Sequence, residues 1–460
     1  MIPASKPRAC LFALLLILAP AAIGVRGAGA EMPQTIDLAA AGRIALAGNP
    51  SLAAAAARVE AAAARVRQAR AAYWPRLDAA AGLSRIEMAD SDYRTRLAQA
   101  RVLDPSATLA DPQDFYESRL TASWTVFDGF ARRFALLQAG HGRQETAAAR
   151  DEARRLLLEA VSEAFHGVQL AREAVAVAEA DAGYNGRLME EARIRREVGT
   201  GSLSDVLNFE VGVNAARSEV ISARRQQHEA TAGLAALLGF PAGRLPDGMV
   251  PAALAPETTA EMTIPEADAE IAYALARRPD LTQRAEALQA AEAGLGAARS
   301  GFWPTVRLAA SLDGDRANDG RLRRDDFGDS VTLSLSYTLF AGGYHRARVA
   351  EARQNQAAAT KELESRRQGV AAEIVQALAD IEASTEQLRL QRRNAELVQR
   401  HRDLVEKEYA VGQVSLVRLN EAQRNLVQAQ GRLAQARVAL QQARFTLDTA
   451  TGRSLERFAR

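Results

Sequence analysis

Four stretches of the chain alternate apolar and polar residues with period two, the pattern of strands that turn one face to an apolar medium. From Ser330 to Phe340, Val331, Leu333, Leu335, Tyr337 and Leu339 interleave with Ser330, Thr332, Ser334, Ser336 and Thr338. From Thr305 to Asp313, Val306, Leu308, Ala310 and Leu312 interleave with Thr305, Arg307, Ala309 and Ser311. Leu120, Ala122, Trp124 and Val126 alternate with Arg119, Thr121, Ser123 and Thr125, and Leu77, Ala79, Ala81 and Leu83 form the weakest set. Strands are expected at about 76–88, 117–128, 305–313 and 330–340. Elsewhere the pattern changes. Residues of about 131–197 and 344–410 are nearly continuous Ala, Arg, Glu, Gln and Leu, all good helix formers. No proline interrupts the chain between Pro112 and Pro241 or after Pro304. At ~1.5 Å per residue, each stretch predicts a rod on the order of 100 Å long.

The pattern occurs twice. Asn49-Pro50-Ser51-Leu52 opens a helix ending at Tyr73-Trp74-Pro75, and Arg278-Pro279-Asp280-Leu281 opens one ending at Phe302-Trp303-Pro304, 229 positions on (303 − 74). Trp124-Thr125-Val126-Phe127 returns as Tyr337-Thr338-Leu339-Phe340 at a shift of 213 (337 − 124), which still holds at Gly199/Gly412 and Gly239/Gly452. Such an internal repeat fixes the organisation. The first copy covers 31–239 and the second 266–452, with a tail at 453–460. Between the copies lies a linker, 240–265, punctuated by Pro241, Pro246, Pro251, Pro256 and Pro265. It is expected to wrap the waist of the molecule with short helices at 36–48 and 266–277.

Residues 1–30 read as an export signal: Lys6 and Arg8, an apolar core from Leu11 to Leu18, and Ala28-Gly29-Ala30 before Glu31. The single cysteine, Cys10, lies inside it, so the exported chain has no disulfide or thiol chemistry. Removing the segment takes away Lys6, Arg8 and Arg26, and the net charge falls from +2 to about −1. A nucleic-acid partner has no basic surface to explain it. No later apolar run is long enough to span a bilayer as a helix, but the alternating stretches fit a membrane β-barrel. Four strands cannot close a barrel, and an open edge in lipid is prohibitive. Copies must therefore share the sheet: two would give eight strands with a filled interior, three would give twelve around a lumen lined by Ser and Thr.

The double repeat, the Tyr-Trp-Pro and Phe-Trp-Pro junctions, and the strand ends Trp-Thr-Val-Phe-Asp-Gly and Tyr-Thr-Leu-Phe-Ala-Gly-Gly are joined by two glycine-containing tips. These are Val198-Gly199-Thr200-Gly201-Ser202-Leu203 and Val411-Gly412-Gln413-Val414-Ser415-Leu416. Together they resemble the TolC-type outer-membrane efflux proteins over about 31–452. The resemblance implies an α+β membrane protein: a homotrimer with a 12-stranded outer-membrane β-barrel, four strands per protomer, continued by a 12-helix periplasmic α-barrel. It implies a passive exit channel in the outer membrane of a Gram-negative bacterium, serving a tripartite efflux or type I secretion system. Its partners would be a periplasmic adaptor (a membrane fusion protein), an inner-membrane transporter of RND or ABC type, and outer-membrane lipid. A periplasmic coiled-coil adaptor is the alternative, but it calls for a single hairpin and a compact lipoyl-like β-domain.

The resemblance also assigns sites. Both tips would dock the adaptor and constrict the pore. Asp205 and Tyr409 match an aspartate and a tyrosine that hydrogen-bond to keep the tunnel shut. An arginine of the family two residues after the second tip glycine is replaced by Val414. Two acids that ring the constriction fall on Arg418 and Glu421, a mixed ring with a weaker field than two carboxylates. From the residues themselves, Ser202 and Ser415 are suitable N-caps beyond the turn glycines. Tyr73, Trp74, Trp124, Phe127, Phe302, Trp303 and Phe340 cluster at strand ends, as an aromatic girdle at a membrane interface would. The stretch from Asp313 to Asp329 reads as a solvated extracellular loop whose spacing fails the calcium-loop pattern, and about Met88 to Glu117 as its longer counterpart. His141, His166, His228, His345 and His401 stand apart from one another, and no nucleophile elbow, phosphate loop or zinc motif is present. Neither an enzyme nor a cofactor or metal centre is expected.

Overall fold

A computed structural model describes residues 35–257 and 262–458; the expected export signal lies outside them. The first copy runs β1 (Thr35–Ile36), α1 (Leu38–Gly48), α2 (Pro50–Ala71), β2 (Arg76–Ile86), α3 (Asp90–Leu103), β3 (Gln113–Phe127), α4 (Ala131–Glu197) and α5 (Leu203–Leu237). After β4 (Val250–Pro251) in the linker, the second runs α6 (Ala267–Arg277), α7 (Pro279–Ser300), β5 (Thr305–Ala317), β6 (Phe327–Ser336), α8 (Tyr344–Ala410), α9 (Leu416–Thr451) and the short α10 (Arg453–Phe458). The two rods, α4 and α8, are each 67 residues long. Each is preceded by a residue in the left-handed region, Phe130 and Gly343, where the chain turns out of the sheet.

The sheet is antiparallel in the order β2-β3-β5-β6, so the two copies meet at its centre, β3 against β5. Its register aligns like with like across all four strands. One row runs Leu77, Ala122, Ala310 and Val331, and the next Trp124, Leu308 and Leu333. A row beside the first, on the opposite face, is Asp78, Thr121, Ser311 and Ser330, with the Ser311 and Ser330 hydroxyls 3.0 Å apart. Period-two alternation plus this register gives one apolar and one hydroxyl-rich face. The protomer covers neither at β6: Val331 is 74% exposed and Leu333 70% on the apolar face, and Ser330 and Thr332 are exposed on the other.

Five boundaries differ from the sequence expectation. The strand expected at 330–340 occupies Phe327–Ser336, because Ser336 pairs with Thr305, the first residue of β5. Tyr337 to Phe340 have no neighbour in the same chain to continue the ladder. In the stretch from Met88 to Glu117, Asp90–Leu103 is helical, with Asp90 and Asp92 in the first turn, where they favour the helix dipole. β3 begins at Gln113, pairing with Ile86. Asp313 to Ala317, expected in the loop, extend β5: Asp313 pairs with the Arg119 guanidinium across the strands, and Arg316 with Asp326 at 3.0 Å. The tail after Gly452 forms α10, which buries Ser454 and Phe458.

Two helical cores form the waist. Ile36, Ala41, Ala45, Leu52, Val161, Phe165, Val168, Leu234 and Leu238 close the first, and Ala274, Leu281, Val370, Ile374, Ile381, Leu388, Leu440 and Leu447 the second. The linker is tied to both. β4 pairs with β1, the Gln169 amide donates to the Ala252 carbonyl at 2.9 Å, and Glu257 bridges Arg392 of α8 (2.5 Å) and Arg437 of α9 (3.1 Å). The repeats solve one capping problem in two ways. Asn49 donates to the Leu237 carbonyl at the end of α5 (2.9 Å), and Arg278 to the Ala450 carbonyl near the end of α9 (2.9 Å). Arg278 is fully buried and also binds both oxygens of Asp280 (3.0 and 2.8 Å) and one of Glu373 (2.5 Å). Burial opposes ionisation of Asp280, but Arg278 and Arg366 more than offset it and hold its carboxyl below the usual range.

Candidate functional site

At the far end of the rods the two hairpins turn. α4 stops because Gly199 adopts a φ of +78°, and the Arg195 carbonyl then accepts N–H groups from Thr200 (2.8 Å) and Gly201 (2.9 Å). α8 stops the same way: Gly412 has a φ of +76°, and the Glu408 carbonyl accepts from Gln413 at 2.9 Å. An L-residue at either glycine would occupy the disfavoured left-handed region. Gly201 is constrained by space instead, since a Cβ there would lie 2.9 Å from the Arg195 Cβ. The Ser202 hydroxyl accepts from the Asp205 N–H at 3.1 Å and caps α5. Ser415 occupies the same position before α9 without a side-chain cap bond; its carbonyl takes the Arg418 N–H at 3.1 Å.

The tips pack on each other through an apolar cluster of Tyr184, Leu188, Ala192, Val206 and Phe209 from the first hairpin with Val405, Leu419 and Ala422 from the second. Tyr409, Val414 and Leu416 flank it. Polar contacts also cross between hairpins: the Asn420 amide donates to the Asn208 oxygen at 3.0 Å, and Gln423 to the Asp181 carboxylate at 2.7 Å. These side chains line a cleft of about 530 Å³ among α4, α5 and α9, with Phe209 and Gly212 also in its lining.

Asp205 and Tyr409, from opposite hairpins, come within electrostatic reach, and no hydrogen bond joins their side chains among the described residues. Burial, and after it the Asp205 charge, raise the Tyr409 hydroxyl above its ordinary range, while Arg195 acts the other way. Arg195 lies over the Tyr409 ring, 5.6 Å from its centroid. Arg418 and Glu421 are both exposed on α9, one turn apart, away from the buried Leu419 and Ala422. Val198, Leu203 and Val411 are exposed at the turns, with Thr200 and Gln413 beside them.

At the other end of the rods the strand-end aromatics gather. The Trp124 indole donates to the Tyr73 carbonyl at 3.0 Å, and Arg132 lies 5.1 Å from the Tyr73 ring centre. Phe127 meets Phe130 edge-on at 5.5 Å, and Phe302 lies 5.6 Å from His345. Gly129, with a φ of +65°, receives Trp303, whose Cβ would be 2.6 Å from an added methyl. Trp74 and Phe340 project outward, exposed.

Sequence reasoning had passed over several residues at these sites. Arg195, Tyr184 and Arg402 lie in charge-rich helices where nothing marks one arginine from the next. Arg278 did carry a signal: it replaces Asn49 in an otherwise matching repeat.

A family profile described as outer membrane efflux protein matches residues 42–240 and 271–453, both copies of the repeat. The chain is 30% identical over 359 residues to protein CyaE of Bordetella pertussis, covering 76% of this chain and 69% of that protein. It is 28% identical over 379 residues to the pyoverdine export outer membrane protein OpmQ of Pseudomonas aeruginosa, covering 80% and 76%. Among solved structures, CusC superposes with a TM-score of 0.74 at 20% identity, over 90% of this chain and 91% of that one. Adaptors are not among these likenesses, and the two hairpins with a shared four-stranded sheet fit an exit channel. The chain belongs to the outer membrane efflux protein family, the channels that carry exported substrates across the outer membrane from a large periplasmic helical portion.

Proposed function

We propose that three copies of this chain close a 12-stranded barrel in the outer membrane and a 12-helix tunnel below it, forming the passive duct of a tripartite efflux or type I secretion system. The single observation that carries this reading is the sheet, apolar on one face, hydroxyl-rich on the other and unpaired at both edges, β2 and β6. Such a sheet is stable in lipid only when neighbouring copies complete it. A second feature supports assembly. On α8, Leu390, Leu397 and Leu404 recur every seventh residue and are all exposed, the spacing of a coiled-coil seam left for another helix. The aromatics at the strand ends suit the periplasmic edge of the bilayer.

In this reading the chain catalyses no reaction and needs no cofactor. An inner-membrane transporter supplies the driving force, and a periplasmic adaptor docks at Val198–Leu203 and Val411–Leu416, where exposed apolar side chains flank the polar cleft. The tips close the resting channel, with Asp205 facing Tyr409 and with Arg418 and Glu421 forming a mixed-charge ring. Single-channel recording in planar bilayers tests this. The wild-type protein is expected to conduct weakly, and Asp205→Asn or Tyr409→Leu to raise conductance. A purified protein that stays monomeric and soluble without detergent would refute the duct.

A further inference from the structure

Two arginine–tyrosine contacts join the hairpins near the tips, and they run in opposite directions. In the upper one, Arg402 of α8 lies 5.0 Å from the ring centre of Tyr184 on α4. In the lower one, Arg195 of α4 lies 5.6 Å from the ring centre of Tyr409 on α8. Each hairpin therefore supplies one ring and one cation. Their surroundings differ. Tyr184 is 4% exposed within the apolar cluster and has a second cation, Arg187, at 5.7 Å. Arg402 is held in place by Glu406 at 2.9 Å and Asp403 at 3.1 Å. Arg195 has no ion-pair partner among the described residues and sits half-buried in the last turn of α4, against a half-buried Tyr409. A cation over an aromatic ring is held more tightly as water is removed from around it. The upper contact is thus built to persist and the lower one to release.

We propose that Arg195 is a positioning residue of the gate: stacked on Tyr409, it holds the second hairpin tip against the first, while the Arg402–Tyr184 contact remains as the pivot about which the tip swings. This rests on the reading that the tips close the channel. Asp205 fits the same device, since its carboxylate and the Arg195 guanidinium act in opposite senses on the Tyr409 hydroxyl. Losing the cation frees the tip without disturbing the buried contact above it.

The test is single-channel recording of the full-length protein in planar bilayers, with the heat stability of the oligomer in detergent measured alongside. Arg195→Gln is expected to raise the open-to-closed ratio roughly fivefold, the effect of one partly exposed cation–π contact. Arg195→Lys should restore much of the closure, and Arg195→Gln/Tyr409→Leu should open no further than Tyr409→Leu alone. Oligomer heat stability should be unchanged in Arg195→Gln and lowered in Arg402→Met. If Asp205→Asn or Tyr409→Leu opens the channel while Arg195→Gln behaves as wild type, the role of Arg195 is overturned and the gate reading stands. If Arg195→Lys is as open as Arg195→Gln, the cation is not what holds the tip and the proposal fails. If none of these variants raises conductance, the gate itself is misplaced and the proposal falls with it.

Discussion

Replacing Arg278 with alanine should open the waist of the second repeat far more than Asn49→Ala opens the first. Both side chains take a carbonyl at the end of a long helix, but only Arg278 is a buried charge. Its removal leaves Asp280 with Arg366 alone and the Ala450 carbonyl without its donor. Breaking a buried ion pair by removing one member costs on the order of 3–5 kcal/mol, whereas losing a neutral N-cap costs about 0.5–2 kcal/mol. At about 1.4 kcal/mol per factor of ten, hydrogen exchange around Leu281 should speed up by roughly two to three powers of ten in Arg278→Ala. Leu281 is a direct reporter, because its N–H donates to Asp280 at 2.9 Å. Exchange at the matching site in Asn49→Ala should rise roughly two- to thirtyfold. The double variant Arg278→Met/Asp280→Leu also removes the acceptor of the Leu281 N–H and is therefore read by thermal unfolding, where it should recover most of the stability lost in Arg278→Ala, since Arg366 and Glu373 still pair with each other at 2.9 Å. Equal effects at the two sites, or a double variant no better than Arg278→Ala, would refute the argument that an unmatched buried charge sets the cost.

Other outcomes follow from the same structure. His166 is buried beside the Ser162 hydroxyl, and burial pushes its imidazole down to about 4 from an ordinary 6.5. The unfolded chain therefore binds a proton that the folded one refuses between these values. Stability from this site is complete above about pH 6.5 and falls by up to roughly 3 kcal/mol per protomer as the pH drops toward 4. His166→Gln should flatten that part of a pH–stability curve; an unchanged slope would exclude the site as its source. On β6, Leu333→Arg should cost about 2–4 kcal/mol in the membrane and block assembly, while Thr332→Arg on the hydroxyl-rich face should assemble, as seen by heat-modifiable migration in outer-membrane fractions. On α7, an added methyl at Gly296 would collide with the Phe134 ring, while at Gly294 its nearest neighbour would be Gln138 at 3.9 Å. Gly296→Ala should lower thermal stability by about 1–3 kcal/mol and Gly294→Ala should raise it by up to about 1 kcal/mol.

The sequence alone determined which segments are rods, which are strands and that the set occurs twice, because these depend on local periodicity, on proline placement and on helix propensity. The tips were legible for the same reason: Gly199 and Gly412 interrupt helices that nothing else interrupts, and both take positive φ. Strand ends were less legible. Period two continues through Leu339, yet β6 stops at Ser336 because a strand extends only as far as its neighbour does. Alternation could not reveal that β3 and β5 join the copies, nor that Leu77, Ala122, Ala310 and Val331 fall in one row; pairing register is a property of two strands at once. The same limit applied to the site. Asp205 and Tyr409 were marked out only by the resemblance to the family, whereas Arg195 over Tyr409 and Arg402 over Tyr184 join residues more than two hundred positions apart (409 − 195 and 402 − 184). Which arginine in a charge-rich helix meets an aromatic ring is decided by the packing of one hairpin on the other, and no local pattern encodes it.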